Sequence, residues 1–548
     1  MTVQKEDITL RGTGISPGLA MGKAFVYRDT LERELEFYRI SVDQVDDEYA
    51  RIECATEDVL QNLRLSAERV EKQLDASVAD IFRAHEEMLR DVLLLEELRE
   101  ELRQELTNAE NAVQRVFKRW EDRFRALENE TFRQRGDDIA DLARRLLRAL
   151  AGTHTHPLES MPDGSVVVAR RLLPSDTVFF SRRSAVAIVV ESGGPASHCA
   201  LLTRQMGIPG VSQISDVVER ISTGDVVMVD GAAGTVTVAP HKDTQARFKK
   251  TMKRHRKDVA RASGRCHEPA VTVDGLTIPV MANISSRRDS ELALENGADG
   301  VGLYRTEVIF LSRKMLPTEE EMIEDASRTL APLKEKPITI RLLDVGGDKN
   351  LRYLRLPDEP NPFLGRRGVR LLLHYPDLLD LQLRAILRLS QEYDLQILVP
   401  MVTVAEDMKQ LRNALASAAA KIGVKEIPRL GAMVETPAAA LCLEEMAQFS
   451  DFFNIGSNDL TQYTMAAGRE NPFVYRYFKD DHPAVIRLLR LIGKESGELP
   501  LGLCGELAGQ HDSIPLLLGA GIRMLSVAPP LVPSVKEAVR CSRAGVSG

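Results

Sequence analysis

Eight short apolar runs, most of them separated by segments with helical patterning, fill the second half of this 548-residue chain. The runs are Leu276–Ile284, Gly300–Tyr304, Ile338–Leu343, Leu395–Met401, Leu430–Val434, Phe452–Ile455, Leu499–Leu503 and Ile522–Val527. Helical spacing of apolar residues is clear at 289–296, 379–393, 405–421 and 482–495. Alternating strands and helices with eight strands predict a (β/α)8 barrel, and a doubly wound open sheet is the alternative.

The first half of the chain changes character twice. Residues 1–33 contain short apolar runs broken by Gly and Pro, which indicate strands and turns. Residues 34–146 are rich in Glu, Arg, Leu and Ala and predict three or four long helices. Strand patterns return at Ser165–Ala169 and in the residues after Asp225. We therefore expect an α/β domain of residues 1–33 and 147–238, interrupted by an inserted helical bundle.

The third part of this organisation is a basic stretch. Residues 239–268 contain many Lys and Arg side chains, and a solvated linker helix is a simpler interpretation than a nucleic-acid patch. The predicted barrel then occupies residues 269–548.

Composition excludes several classes of protein. The formal net charge is −8, which argues against nucleic acid as the main partner. No apolar run approaches the roughly 20 residues of a membrane span, so we expect no membrane insertion. The six cysteines are scattered without a CxxC pair, which favours a reducing compartment over a disulfide framework or a zinc site. A cytoplasmic protein is the expectation.

One histidine stands in an unusual local setting. His198 ends the run Gly193-Gly-Pro-Ala-Ser-His and lies at the predicted start of a helix. Small residues leave the imidazole accessible, and unpaired helix amides with the positive end of the helix dipole favour a phosphate or another anion there. The competing interpretation is a helix cap whose histidine only packs.

Candidate catalytic residues follow the ends of the predicted barrel strands, where active sites of such barrels lie. They are Arg305, Glu307, Arg341, Asp344, Met401, Glu435, Asn458, Asp459, Cys504 and Glu506. Several arginines suggest an anionic ligand. Glu435 and Asp459 are a pair of hard oxygen ligands that suits Mg²⁺. Cys504 would be mostly protonated near pH 7 and able to donate a proton to a carbanion.

Each of these residues taken alone also has a structural interpretation. An arginine can form a surface ion pair, Cys504 can be a small buried apolar residue, and Glu435 can cap the next helix. Their placement at the same end of eight predicted strands favours the functional interpretation.

The motifs together resemble a known family over essentially the whole chain. They are Gly193–His198, Gly302–Glu307, Thr339–Lys349, Asn361-Pro-Phe-Leu-Gly, Val434-Glu-Thr-Pro, Gly456–Thr464 and Leu503–Glu506. In this order they resemble Enzyme I of the bacterial phosphoenolpyruvate-dependent sugar phosphotransferase system. The resemblance implies a swivelling phosphohistidine α/β domain with an inserted helical domain, followed by a (β/α)8 barrel.

The resemblance also implies a mechanism and residue roles. Phosphoenolpyruvate and Mg²⁺ would bind at the barrel mouth, and His198 would carry the phosphoryl group to a histidine of the carrier protein HPr, with release of pyruvate. HPr would dock on residues 34–146, and the chain would dimerise through the barrel. The implied substrate-binding residues are Arg305, Arg341, Asn458, Asp459 and Arg469, the metal ligands Glu435 and Asp459, the proton donor Cys504, and the supporting residues Asp344, Lys349 and Arg367.

Three positions depart from the family pattern. Ala196 replaces a usual Thr, Arg366 replaces a common Trp, and Gly468 replaces a common acidic residue. A nitrogen-related Enzyme I that phosphorylates an HPr-like regulatory carrier, and a non-catalytic regulatory protein of the same fold, are the alternatives. Dikinase and synthase relatives would need an ATP-binding domain, for which the chain has no room.

Overall fold

The computed structural model describes residues 7–27, 37–73, 76–125, 130–152, 157–173, 176, 180, 184–192, 200, 203–204, 206–311, 313, 315–346, 351, 353–354, 359–468 and 474–545. The chain forms two compact units, Met1–His255 and Arg256–Gly548. Among the described residues, no helix combines the length and apolarity needed to cross a bilayer.

The first unit contains an eight-stranded mixed sheet. Its strands are β1 (Ile8–Arg11), β2 (Thr13–Ser16), β3 (Leu19–Tyr27), β4 (Ser165–Ala169), β5 (Ala187–Val190), β6 (Gly210–Ser212), β7 (Val226–Asp230) and β8 (Thr235–Val238). They lie in the order β1-β8-β7-β3-β4-β5-β6-β2, with β3 to β6 mutually parallel. β4 and β5 are buried throughout, as their continuous Val, Ile and Ala runs require of strands covered on both faces.

Helices are inserted between two neighbouring strands of this sheet. β3 pairs in parallel with β4 although more than a hundred residues separate them in sequence. The described part of that segment contains α1 (Val45–Gln73), α2 (Ala76–Leu89), α3 (Val92–Glu105), α4 (Ala109–Arg125) and α5 (Glu130–Leu150). The inserted helical bundle expected from the sequence is therefore present, with its own apolar core.

Two breaks between these helices lie within the described residues, at 90–91 and at 106–108, and no Gly or Pro marks either of them. Asp91 caps α3 by accepting a hydrogen bond from the Leu93 amide at 2.8 Å, and Leu106 ends it in the left-handed region at φ 49°. Asp caps are common, but a left-handed Leu is rare and has no reliable sequence signal.

One buried arginine joins the helical insert to the sheet. Arg144 of α5 donates to the Tyr27 hydroxyl at the end of β3, at 2.6 Å, and to both carboxylate oxygens of Asp176, at 2.9 and 3.0 Å. Arg144 and Asp176 are nearly inaccessible to solvent. A charge buried this deeply is tolerable only when it is paired, so the insert and the sheet have a defined mutual orientation.

The basic stretch forms a helix. After the short α6 (Val217–Arg220), α7 spans Lys242–Gly264, and Ala262 is its one buried residue. A mostly exposed helix with charged side chains agrees with the solvated helix expected from the sequence.

The second unit is a closed barrel of eight parallel strands, which excludes the open-sheet alternative. The strands are β9 (Val280–Ile284), β10 (Val301–Arg305), β11 (Ile338–Arg341), β12 (Leu395–Val399), β13 (Arg429–Val434), β14 (Phe452–Ile455), β15 (Leu501–Leu503) and β16 (Met524–Val527). Each lies within or beside a predicted run, and β16 pairs with β9 to close the barrel. Closure brings the carboxyl ends of all eight strands to one mouth.

Helices follow the strands and cover the barrel. They are α8 (Arg287–Glu295), α9 (Glu307–Leu311), α10 (Glu319–Leu330), α11 (Val369–His374), α12 (Pro376–Leu389), α13 (Ala405–Ile422), α14 (Pro437–Leu441), α15 (Leu443–Ala447), α16 (Ser457–Met465), α17 (Pro483–Glu495), α18 (Ile514–Gly519) and α19 (Val532–Arg540). The capping box of Thr318 and Glu321 shows how the sequence starts one of them, α10.

A buried lysine fastens the last helix to the barrel. Lys536 of α19 is fully inaccessible, and its Nζ donates at 2.7 Å both to the Gly297 carbonyl and to Asp299 Oδ1. The side chain of Asp299 retains 33% exposure.

We expect Lys536→Ala to lower the free energy of unfolding by roughly 2–3 kcal/mol, because it leaves the Asp299 carboxylate without its charged partner and creates a cavity. The loss should be smaller than for a fully buried ion pair, because Asp299 is partly exposed. Urea denaturation of the full chain measures it. The exposed Lys494→Ala on α17 is the matched control and should change the value by less than about 0.5 kcal/mol. Equal effects of the two substitutions would contradict the role given to Lys536.

Candidate functional site

The barrel mouth contains a buried ion pair between two neighbouring strands. Arg341 ends β11, and its Nη2 donates to Glu307 Oε1 at 2.6 Å. Its Nη1 lies 3.3 Å from Asp344 Oδ2. Glu307 also accepts the backbone amide of Asp344 at 3.2 Å, and Thr306 donates to the Arg341 carbonyl at 3.0 Å. The residues after β10 and β11 are thereby held in one arrangement.

A second arginine extends this network across the mouth. Arg367 donates from Nε and Nη2 to the two oxygens of Asp344, at 3.2 and 2.9 Å, in the bidentate geometry typical of guanidinium and carboxylate. Its Nη1 reaches Asp459 Oδ1 at 3.0 Å and the Tyr463 hydroxyl at 3.3 Å. Asp459 and Tyr463 lie on α16, so Arg367 links β11 to the helix that follows β14.

Charges around Arg341 keep it ionised although it is buried. Burial by itself would lower the pKa of the guanidinium, but the carboxylates of Glu307, Asp344 and Glu435 outweigh it and raise the pKa. Arg341 Nε is buried and has no hydrogen-bond partner within the described part of the chain. A buried donor of this kind is costly unless an acceptor reaches it, which makes the position suited to an anionic ligand.

Glu435 is the most deeply buried carboxylate of the mouth, with 1% of its surface exposed. Its Oε1 accepts the Met401 amide at 2.5 Å. Burial raises its pKa, and the nearby charges of Asp459 and Asp344 act in the same direction, whereas Arg367 and Arg341 oppose them. The two arginines therefore do not fully compensate the negative charge of Glu435 and its carboxylate neighbours.

The donor set fits a divalent cation. The network of Glu307, Arg341, Asp344, Arg367 and Asp459 has three carboxylates against two guanidiniums, and Glu435 adds a fourth carboxylate. No cluster of three or more His, Cys, Asp or Glu suited to a metal occurs in the described ranges. A metal held here would have two protein carboxylates and would take further oxygens from substrate and water, as Mg²⁺ commonly does.

Two loops at the mouth are joined by Asn458. Its Oδ1, in the first turn of α16, accepts the Glu506 amide after β15 at 2.9 Å. Gly505 makes this approach possible, because an added Cβ there would lie 1.7 Å from Ser457 Oγ.

Cys504 lies at the boundary between the charged mouth and the apolar barrel interior. It is 4% exposed and packs with the apolar cluster of Leu303, Leu398, Met433 and Phe452. Its Sγ donates to the Ile455 carbonyl at 3.5 Å. Burial raises the pKa of the thiol to about 12 against the opposing charge of Arg341. The group is therefore a neutral thiol at physiological pH.

The structure brings most of the predicted barrel residues to one mouth. Arg305 and Arg341 are register partners at the ends of β10 and β11. The described residues Arg305, Arg341, Glu435, Asn458, Asp459 and Cys504 all lie at or just beyond the carboxyl ends of the strands. His198, Arg469 and Lys349 lie outside the described residues.

Sequence reasoning missed two contacts of the network. Tyr463 contacts Arg367, and it lies four residues after Asp459, which places both on one face of α16. The four-residue spacing between Asp459 and Tyr463 is a sequence signal from which the place of Tyr463 at the mouth could have been predicted. Met433 Sδ lies 3.8 Å from Arg341 Nη1, and an apolar strand residue gives no sequence signal for such a contact.

Family profiles cover most of the chain. Residues 259–544 match the profile of the PEP-utilising enzyme, PEP-binding domain. Residues 11–135 match the PEP-utilising enzyme, N-terminal profile, and residues 161–234 the PEP-utilising enzyme, mobile domain profile. The chain thus has the three parts of a PEP-utilising enzyme.

Curated relatives are similar over nearly their whole length. The chain is 36% identical to a phosphoenolpyruvate-protein phosphotransferase of Priestia megaterium over 97% of this chain and 93% of that protein. It is 33% identical to the Bacillus subtilis phosphoenolpyruvate-protein phosphotransferase over 97% and 95%. A solution structure of Enzyme I (nEIt) is 30% identical over 45% of this chain and 99% of its own, with a TM-score of 0.39.

The chain belongs to the phosphoenolpyruvate-protein phosphotransferase family, which confirms the family resemblance and the expectation of an enzyme. Enzymes of this family use a divalent metal ion.

Cys504 should resist alkylation over a wide pH range. A thiol whose pKa is about 12 has almost no reactive thiolate at pH 8, and its burial adds to the protection. We expect iodoacetamide at pH 8 to modify the exposed Cys442 and to leave Cys504 unmodified in the native chain, as read by peptide mass spectrometry. Because the pKa is raised, reactivity should increase with pH beyond pH 9. Equal labelling of both cysteines at pH 8 would show that the Cys504 thiol is accessible and that its pKa is not raised.

Proposed function

We propose that this chain transfers the phosphoryl group of phosphoenolpyruvate, through His198, to a histidine of a small HPr-type carrier protein and releases pyruvate. The observation that carries the proposal is the buried network of carboxylates and arginines at the mouth of a barrel whose sequence matches a PEP-binding domain. Membership of a family of phosphoenolpyruvate-protein phosphotransferases supports the reaction.

In this proposal the arginines bind the substrate's negative charges. Arg305, Arg341 and Arg469 hold the phosphate and carboxylate, and Asn458 and Asp459 line the same pocket. Arg341 Nε finds no hydrogen-bond partner among the described residues, which supports its role, because a substrate oxygen would satisfy it. Glu307, Asp344 and Arg367 hold Arg341 and Asp459 in place, which lowers the cost of ordering the site when substrate binds.

Glu435 and Asp459 are the proposed metal ligands, and Mg²⁺ is the proposed ion. When bound there, Mg²⁺ would offset negative charge on the transferring phosphoryl group. The low exposure of Glu435 and its excess of carboxylate neighbours support this assignment.

The proposed chemistry needs one nucleophile and one proton donor. The Nε2 of His198 forms a bond to phosphorus while the bond between phosphorus and the enol oxygen breaks in line. The resulting enolate takes the proton of the Cys504 thiol on its methylene carbon and becomes pyruvate, and the thiolate is reprotonated from solvent. A thiol with a pKa of about 12 holds its proton until a strong base such as an enolate forms beside it.

Each step of the proposed reaction belongs to a different domain of the chain. Residues 1–33 and 147–238 form the swivelling phosphohistidine domain, 34–146 the insert that binds HPr, 239–268 the linker, and 269–548 the PEP-binding barrel. We also propose a homodimer through the barrel, a cytoplasmic location, and a role at the start of phosphotransferase-system sugar uptake.

Labelling tests the proposal directly. With Mg²⁺, no ATP and ³²P-phosphoenolpyruvate, the chain should acquire an acid-labile phosphoryl group and release pyruvate. His198→Gln should abolish labelling, because it removes the nucleophile. His267→Gln, at an exposed histidine, is the matched control and should label normally. Labelling that persists in His198→Gln, or no labelling of the unaltered chain, would refute the proposed function.

Cys504→Ala should separate the two half-reactions. We expect pyruvate formation to fall about 100-fold or more, since a positioned proton donor contributes about 10²–10⁴-fold. Transfer from phosphorylated His198 to HPr should keep its rate, because no proton is donated to carbon in that step. Rapid-quench measurements of each half-reaction, with Cys442→Ala as control, give the comparison. An equal loss in both would make Cys504 a structural residue.

A further inference from the structure

Met401 has an unusual backbone at the barrel mouth. It follows β12 and is 1% exposed, yet its φ is 56°, in the left-handed region that disfavours residues with a side chain. Non-glycine residues in this region are retained where surrounding contacts determine them, and they are frequent at functional sites.

Contacts on both sides hold this conformation. The Met401 carbonyl accepts the Thr403 hydroxyl at 3.3 Å, and the preceding carbonyl, of Pro400, accepts the Val369 amide at 3.2 Å. Gly368 lies directly against the side chain, because an added Cβ there would be 2.8 Å from Met401 Cβ. The segment therefore has little freedom to turn.

The conformation directs one amide at one carboxylate oxygen. The Met401 N–H donates to Glu435 Oε1 at 2.5 Å, a charge-assisted bond when Glu435 is ionised. The other oxygen, Oε2, lies beside Gly456, where an added Cβ would approach it to 2.6 Å. Gly456 immediately precedes α16, the helix that carries Asp459. One oxygen of Glu435 is thus occupied, and the other lies at the start of that helix.

We propose that the Met401 amide is a positioning group for the metal site: its left-handed backbone fixes Glu435 Oε1 so that Oε2 remains as the ligand. The inference rests on the proposed role of Glu435 as a metal ligand. Hydrogen bonds from outer residues to metal ligands orient the ligands and commonly affect metal affinity 10- to 100-fold.

An amide-to-ester exchange at Met401 removes the N–H and keeps the side chain. Nonsense suppression with the α-hydroxy analogue of methionine replaces the N–H by an ester oxygen, and the Pro400 carbonyl stays in place as a weaker acceptor for the Val369 amide. Mn²⁺ is the probe, and the paramagnetic resonance of free Mn²⁺ gives its Kd without substrate or turnover. We expect the ester to raise the Kd for Mn²⁺ about 10- to 100-fold. An unchanged Kd would overturn the inference.

Two further variants separate the backbone from the side chain. An ester at the exposed Leu276, in the turn before β9, removes a hydrogen bond to the Thr272 hydroxyl, at 3.0 Å, and should leave the Kd unchanged. Met401→Gly keeps the N–H and accepts a positive φ, so its Kd should stay within about threefold of the unaltered chain. A loss in Met401→Gly as large as in the ester would assign the effect to the side chain and overturn the inference.

Failure of the proposed metal role gives a different result. If Glu435→Gln binds Mn²⁺ with the same Kd as the unaltered chain, Glu435 is not a metal ligand. Both the proposed metal role of Glu435 and the positioning role of the Met401 amide are then wrong. If Glu435→Gln weakens Mn²⁺ binding and the Met401 ester does not, only the positioning role of the Met401 amide is wrong.

Discussion

The pairing of Asp344 with two arginines is the interaction on which the barrel mouth depends. Asp344 accepts Arg367 at both oxygens and lies 3.3 Å from Arg341, which in turn holds Glu307. All four side chains are nearly buried, so each charge needs its partners, and removing one leaves another desolvated without compensation. The strand ends and α16 are thereby coupled through side chains in addition to the backbone pairing of β10 with β11.

Periodicity in the sequence predicts the barrel because each strand is buried on both faces and must be apolar. The runs at Ile338–Leu343 and Phe452–Ile455 are bounded by helical patterns, and the structure has strands at both. The same reasoning places Arg341 and Asp459 at the mouth, since polar residues that directly follow buried strands gather at one end of a closed barrel. The insertion within the sheet is predictable as well, because its composition differs sharply from that of the strands on either side.

Other features depend on contacts that no local pattern encodes. Arg367 follows no strand directly, so only the folded loop brings it to Asp344 and Asp459. The left-handed Met401 is set by Gly368 and Val369, which are distant in sequence, and methionine itself gives no reason to expect it. The left-handed Leu106 that ends α3 is hidden for the same reason. Periodicity reports burial, whereas these details come from the tertiary packing that burial makes possible.

The position of the helical insert has a consequence for the order in which the first unit assembles. β3 and β4 are adjacent in the sheet, but their pairing must close a loop that runs from Tyr27 to Ser165. Closure of a long flexible loop is entropically expensive, and contacts between residues far apart in sequence slow folding. Helices form from local contacts and have their own core, so early folding of the insert would shorten the effective loop before the strands meet. The segment that interrupts the sheet in sequence would then act as the scaffold on which the sheet is completed, with the contact of Arg144 and Tyr27 made as the two strands join.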